Sequence, residues 1–252
     1  MNRPTVTVHA HASVDGRLTL ASDVILLYGD PRWEAVTGNY DPYPDIFARV
    51  QPQAVLEGSG SFAPDNFQPE PLPAVEGDLA DLYQDNLPEE IVHVENRRWF
   101  TVVDGRGRVR WVYKEFPGDL WAGFYLLVLV SNSTPPEYLA YLRREKIPYL
   151  VAGENRVDLN QALEKMKRQL GVECLLSTAG GHLNGALLRA GLVDEFSLTF
   201  FPALIGGTST PSLFDGPDLK KDELPTHLQL LDCRSDPDGS VHLHYRVCKE
   251  AA

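Results

Sequence analysis

The 252 residues carry 23 Lys and Arg against 35 Asp and Glu, a formal net charge of −12 at pH 7. That field repels nucleic acid and anionic membranes, so no nucleic-acid or membrane partner is expected, while a small anion in a locally positive pocket stays open. A hydrophobic fraction of 43% and a charged fraction of 23% describe a globular chain with ample material for a core, one domain or two by length.

The first stretch with regular periodicity is residues 5–13, where Val6, Val8, Ala10 and Ala12 alternate with Thr7, His9, His11 and Ser13. This is a strand with one small apolar face and one polar face, broken by a turn at Val14-Asp15-Gly16-Arg17. Spacing places no third ligand near His9 and His11, so a cleft-lining pair is expected rather than a metal site. Residues 45–50 suggest a short helix and 54–57 a short strand, followed by Gly58-Ser59-Gly60-Ser61, a loop able to turn or to cradle phosphate. Residues 68–90 are rich in Pro and acidic side chains and read as a surface excursion. Residues 99–103 and 109–113, joined by Asp104-Gly105, suggest a hairpin or a strand and its extension.

The continuous apolar run 124–130 fits a central strand covered on both faces, ending at Ser131-Asn132-Ser133. Thr134 precedes Glu137 by three residues, with Pro135 between, which predicts a capping box. A strand is expected at 149–151, then a helix capped by Asp158 and Gln161 and ended by Gly171. Residues 173–207 organise the chain: an apolar run, Ser177-Thr178-Ala179, the pair Gly180-Gly181, a short helix, and a strand over 195–202. Such a turn presents bare N–H groups at the positive end of a helix to an anion, or is simply a tight turn. Residues 228–232 and 241–247, around Asp236-Pro237-Asp238-Gly239, form an antiparallel hairpin in which His242 and His244 read as solvated. Cys174, Cys233 and Cys248 lack CxxC spacing and read as buried thiols in a reducing compartment. No apolar run approaches ~18 residues and Met1-Asn2-Arg3-Pro4 leads straight into a strand, so a cytoplasmic location is expected. The expected fold is α/β, a mostly parallel central sheet flanked by helices with an antiparallel C-terminal hairpin, in a single domain over 1–252.

Several of these segments, in this order, resemble the reductase domain of bacterial riboflavin biosynthesis, 5-amino-6-(5-phosphoribosylamino)uracil reductase, which has the dihydrofolate-reductase fold. The matching pieces are Ser13-Val14-Asp15-Gly16, the loop Gly58-Ser59-Gly60-Ser61 with Asp65-Asn66, and Ser131-Asn132-Ser133. With them go Gly180-Gly181-His182-Leu183-Asn184-Gly185 and the run from Ala190-Gly191 to Ile205-Gly206-Gly207. The resemblance implies NADPH as cofactor, with Gly180, Gly181, His182 and Leu183 at the diphosphate, Ser59 and Ser61 at phosphate or ribose, and Ser131 and Ser133 at the 2′-phosphate. Hydroxyls in place of an acidic residue after that strand favour NADPH over NADH. The resemblance also implies a homodimer and a phosphorylated heterocyclic substrate. Two departures bear on the substrate: Ala179 stands where the family usually has Glu, and His9 where it usually has Lys.

The reaction expected is hydride transfer to a C=O or C=N carbon, with the ribosyl group reduced to ribityl. Asp65 is the expected contact to the ribosyl part, Asp15 and Ser13 shape the turn beside the nicotinamide, and His9 donates a proton or binds phosphate. Competing readings are a reductase of another substrate such as a pterin, with Asp30 or Glu34 as its carboxylate, and a nucleotide-binding module without chemistry. A deaminase zinc motif does not occur in the sequence, so the bifunctional form is not expected.

Overall fold

The computed structural model describes residues 1–24, 30–38, 43–63, 67–116 and 118–249. In chain order its elements are β1 (Thr5–Ser13), α1 (Pro31–Thr37), α2 (Tyr43–Val50), β2 (Ala54–Gly58), α3 (Glu89–Val92), β3 (Arg98–Val103), β4 (Phe124–Val130) and α4 (Pro136–Arg144). There follow β5 (Tyr149–Val151), α5 (Leu159–Leu170), β6 (Cys174–Ser177), α6 (Gly181–Arg189), β7 (Glu195–Phe201), β8 (Leu228–Ser235) and β9 (Val241–Val247). Two compact units result, one of Met1–Pro4 and Pro52–Leu175, the other of Thr5–Gln51 and Leu176–Ala252.

In the first unit the strands run in the order β5-β4-β3-β2, each parallel to its neighbour. All seven residues of β4 are buried, as its unbroken apolar run requires of a strand covered on both faces. In α4, Tyr138, Leu139 and Leu142 face inward. Asp158 caps α5 by accepting from Gln161 N at 3.1 Å, and Gly171 ends it in the left-handed region at φ 67°. The excursion over 68–90 is stitched to this unit. Asn86 and Tyr149 exchange backbone hydrogen bonds at 2.9 Å, covering the outer side of β5. Asp85 accepts from Val151 N and Lys165 Nζ, both at 2.9 Å.

Two expectations fail here for stated reasons. Residues 109–113 form no strand, because side chains take the backbone donors a ladder would need. Asp104 Oδ2 accepts from Arg108 N and Val109 N at 3.0 and 2.9 Å, and Tyr141 Oη accepts from Trp111 N at 2.8 Å. Thr134 makes no capping box, since its Oγ1 accepts from Ser131 N and donates to Gly105 O, and α4 starts one residue later than a Pro135 first position implies.

In the second unit β1 pairs parallel with β7, and β7, β9 and β8 are antiparallel neighbours. The antiparallel C-terminal hairpin is therefore present, on an otherwise parallel pattern. Most of the polar side of β1 is as buried as the apolar side: Thr7, His9 and Ser13 are 4%, 6% and 0% exposed, and His11 is half-buried. Among the described residues no helix is long and apolar enough to cross a membrane.

Candidate active site

The period-two alternation of β1 and β7 continues across the hairpin, so one face of the second unit carries two polar rows. His9 lies beside Ser197, which lies beside His244; His11 lies beside Thr199, which lies beside His242. Over this face packs α2, whose Ile46 and Phe47 are buried. Between them is a cavity of about 480 Å³, lined by His9, Arg49, Ser197, Thr199, His242 and His244 among others.

Arg49 sets the electrostatics of that cavity. Its side chain is exposed at the rim of the cavity, and its Nη2 donates to Ser197 Oγ at 2.5 Å. Among the described residues no carboxylate lies within ion-pair distance of it; Asp45, on the same helix, pairs with Arg234 at 3.0 Å. Local desolvation of the guanidinium lowers the Arg49 pKa, against the pull of Glu195, and the exposure of the side chain keeps that cost small. An entering anion would relieve that cost.

His9 is the neutral counterpart. Its Nδ1 lies 3.0 Å from Ser197 Oγ, and its Nε2 is buried without a hydrogen-bond partner among the described residues. With Arg49 donating to the same hydroxyl, the arrangement that uses all three groups has Ser197 donating to Nδ1. The ring proton then sits on Nε2, available to a ligand. Burial, with Arg49 and His242 adding, lowers the His9 pKa from 6.5 to about 3, and burial also lowers that of His11, whose ring meets His9 edge-on at 4.3 Å. Below pH 6.5 the unfolded chain binds protons that the folded chain refuses. Stability is thus full above about pH 6.5 and falls on acidification toward pH 3, by about 1.4 kcal/mol per pH unit for each histidine. Urea midpoints at pH 7.5, 6 and 5 should show this slope, and His9→Gln should reduce it by roughly half. An unchanged slope would mean that His9 is protonated in the fold.

The paired-glycine turn also lies in the second unit. Asn184 is fully buried and fixes it, donating to Ala179 O at 2.7 Å and accepting from Ser177 Oγ at 3.0 Å. Gly180 is the N-cap of α6 with no side-chain cap, and a Cβ there would meet nothing within 4 Å. Leu183 N already donates to Gly180 O at 3.1 Å, so the N–H groups of Gly181 and His182 are the ones this end of α6 can offer a diphosphate. Gly181 answers to packing: a Cβ on it would lie 2.1 Å from Ser212 O. His182 is exposed and 3.6 Å from Asp215 Oδ2, and Leu183 is half-buried.

The other sequence-derived residues divide by what they already bind. Asp15 accepts from Ser13 Oγ (2.6 Å), Ile205 N (3.1 Å) and Gly206 N (2.6 Å), and these, Ser13 foremost, hold its pKa down to about 2. It is an ionised clamp on residues 205–206 rather than a proton donor at neutral pH. In the first unit Ser59 is buried and Ser61 half-buried in a short 3-10 turn. Ser131 is fully buried and bonded to Ser133 at 3.0 Å, which leaves the exposed Ser133, itself donating to Asn155 O, as the hydroxyl a phosphate can reach. Asp65 lies outside the described residues. Asp30 caps α1 and binds Arg32, and Glu34 is exposed, so neither is set up as a pterin carboxylate. His242 and His244 correct the sequence reading. Their side chains are only 13% and 15% exposed, and they bond to Asp236 at 2.8 Å and Glu195 at 2.9 Å.

A family model described as the RibD C-terminal domain matches residues 4–242. The chain belongs to that family. Its resemblance extends to a curated relative from Methanothermobacter thermautotrophicus, "2,5-diamino-6-ribosylamino-4(3H)-pyrimidinone 5′-phosphate reductase", 39% identical over 101 residues. That alignment covers 40% of this chain and 45% of the relative, so it spans less than half the relative's length. Among solved structures, a pyrimidine reductase-like protein of Corynebacterium diphtheriae superposes with TM-score 0.65 at 20% identity, covering 99% of this chain and 94% of that one. The riboflavin biosynthesis reductase of Saccharomyces cerevisiae gives 0.58 at 16% identity, over 98% and 91%. At such identities these two likenesses concern the fold, and they bear out the expected architecture. In this member of the RibD C-terminal domain family, Arg49 is the site residue the sequence reading missed. Its signal was positional: a cation three residues after the buried Ile46 lies on the inward side of α2.

Proposed function

We propose that the chain is an NADPH-dependent reductase that converts 5-amino-6-(5-phosphoribosylamino)uracil to its ribityl product in riboflavin biosynthesis, acting in the cytoplasm as a homodimer and as a single reductase domain. The observation that carries this reading is Arg49, with no carboxylate within ion-pair distance among the described residues, beside neutral His9 in a cavity walled by hydrogen-bond donors and acceptors. Such a wall recognises a phosphorylated polar heterocycle. The family and the relative's name supply the class of reaction.

Gly180 and the first-turn amides of α6 would hold the cofactor diphosphate; in the first unit, taken by itself, Ser133 offers a hydroxyl to a phosphate. The bound nicotinamide supplies a hydride. The protein's own residues do the rest: Arg49 neutralises the substrate phosphate, and His9 offers Nε2–H to a polar atom and excludes water by its burial. The phosphate would in turn raise the His9 pKa, so binding favours proton uptake there. For the homodimer we point to β8, which has a single strand neighbour and exposes Leu230 and Leu231.

The relative is named for the diamino-pyrimidinone, which differs from the uracil at the ring, so both compounds belong in the test. Loss of NADPH absorbance should follow addition of one of them and not of dihydrofolate. Consumption with dihydrofolate alone, or tight NADPH binding without turnover on any of the three, would overturn the assignment.

A further inference from the structure

A line of hydrogen bonds runs through the cavity wall that hydride transfer leaves unused. His242 Nδ1 lies 2.9 Å from Thr199 Oγ1, and its Nε2 lies 2.8 Å from Asp236 Oδ2. A carboxylate only accepts, so Nε2 carries the ring proton and Nδ1 accepts from the Thr199 hydroxyl. One end of this line is wet, since the Asp236 side chain is 36% exposed at the β8–β9 turn. The other end is dry, since Thr199 is 2% exposed and lines the same cavity as His9 and Arg49. His244 bonds Glu195 through Nε2, and among the described residues no hydroxyl meets its other nitrogen, so its row is not continuous.

We propose that Asp236, His242 and Thr199 form a proton-donating relay into the cavity, which protonates the atom left anionic when the bound pyrimidine phosphate is reduced. The proposal rests on the reductase reading. In that reaction a reduced nicotinamide gives a hydride to the C=O or C=N carbon, and the π electrons move to the heteroatom. That heteroatom takes the Thr199 hydroxyl proton and Thr199 takes the Nδ1 proton of a His242 imidazolium, which leaves the Nε2–H ring; Nδ1 regains its proton through Thr199 from water that enters the cavity once product has left. One hydride and one proton are consumed per turnover. The imidazolium is stabilised by the Asp236 carboxylate, as in other carboxylate–imidazole–hydroxyl lines. His9 and His11 from β1, Arg49 from α2 and Arg234 from β8 also face this region; Asp238 is the nearby carboxylate on the turn.

The test uses the full chain and the variants Thr199→Val, Thr199→Ser, His242→Gln and Asp236→Asn. Thr199→Val, His242→Gln and Asp236→Asn should lower kcat by about 10- to 100-fold, with KM and NADPH affinity within about twofold of wild type. Thr199→Ser should restore kcat, and the solvent deuterium isotope effect on kcat should rise in the slow variants. Independently of turnover, the ring nitrogen NMR spectrum of the free protein should show His242 as the Nε2–H tautomer, and Asp236→Asn should abolish that preference. Wild-type kcat in Thr199→Val, a kcat loss that Thr199→Ser does not rescue, or an Nδ1–H tautomer at His242 would overturn the relay alone. A wild-type protein that reduces no pyrimidine phosphate would overturn the reductase reading and the relay with it.

Discussion

Gly185→Ala should destabilise the second unit by roughly 3 kcal/mol or more, whereas Gly180→Ala, five residues earlier, should cost about 1 kcal/mol or less. The two differ in what a methyl group would meet. At Gly185 it would lie 1.9 Å from Asp215 O, and at Gly181 2.1 Å from Ser212 O and 2.5 Å from Asp215 Oδ2. These two glycines are four residues apart, on one face of α6, and they let the backbone over 212–215 pass directly against the helix. Asp215 N donates to Gly181 O at 2.9 Å, and Phe214 meets Phe196 with ring centroids 5.1 Å apart. A backbone carbonyl cannot swing aside as a side-chain tip can, so a methyl at 185 must push the whole segment off. Urea denaturation of the two variants beside wild type measures the difference. Equal, small losses would show that the segment is loosely held. The same geometry selects the right probe of the diphosphate. A Gly181 variant confounds packing with binding, but Gly180→Ala leaves the fold intact and alters only the exposed approach to the first-turn amides, so its NADPH affinity reads the binding site directly.

This packing was not legible in the sequence, although the turn that contains it was. Gly180-Gly181 stands out because a strand, a glycine pair and a short helix are local features, read from neighbours in the chain. What fills the space over Gly185 comes from thirty residues downstream, and no periodicity reports it. The strands were legible for the same local reason: residues 124–130 are apolar throughout, and residues 5–13 alternate without a break. Thr134 was misread because its hydroxyl found a non-local partner, Gly105 O, that competes with the helix cap. The strand expected at 109–113, as half of a hairpin or as an extension of 99–103, failed through Asp104, a fully buried carboxylate that takes two N–H groups for itself. His242 and His244 were read as solvated because a two-strand hairpin usually has one wet face. Here α2 covers that face, and strand register alone does not foresee a helix from residues 43–50 lying over it.

Arg49→Met should raise KM for the pyrimidine phosphate by about 30- to 150-fold, the loss of one charge-assisted contact of roughly 2–3 kcal/mol, while NADPH affinity stays as in wild type. Arg49→Lys should recover part of the loss, since an ammonium keeps the charge but not the forked geometry. The decisive comparison is with the dephosphorylated nucleoside. If Arg49 binds the phosphate, the nucleoside should be a poor substrate for both proteins, and Arg49→Met should change its kinetics by less than about twofold. A penalty of equal size for phosphate and nucleoside would place Arg49 against the ring or the ribosyl chain instead. Stability should hardly move. Arg49 is exposed, has no described carboxylate within ion-pair distance, and gives up one bond, to Ser197. Methionine fills a similar volume, and the variant should unfold within about 0.5 kcal/mol of wild type. A residue that adds little to the empty protein and is needed only when an anion arrives is placed for binding. A stability loss in Arg49→Met together with an unchanged KM would show the opposite, that its bond to Ser197 is a strut of the fold.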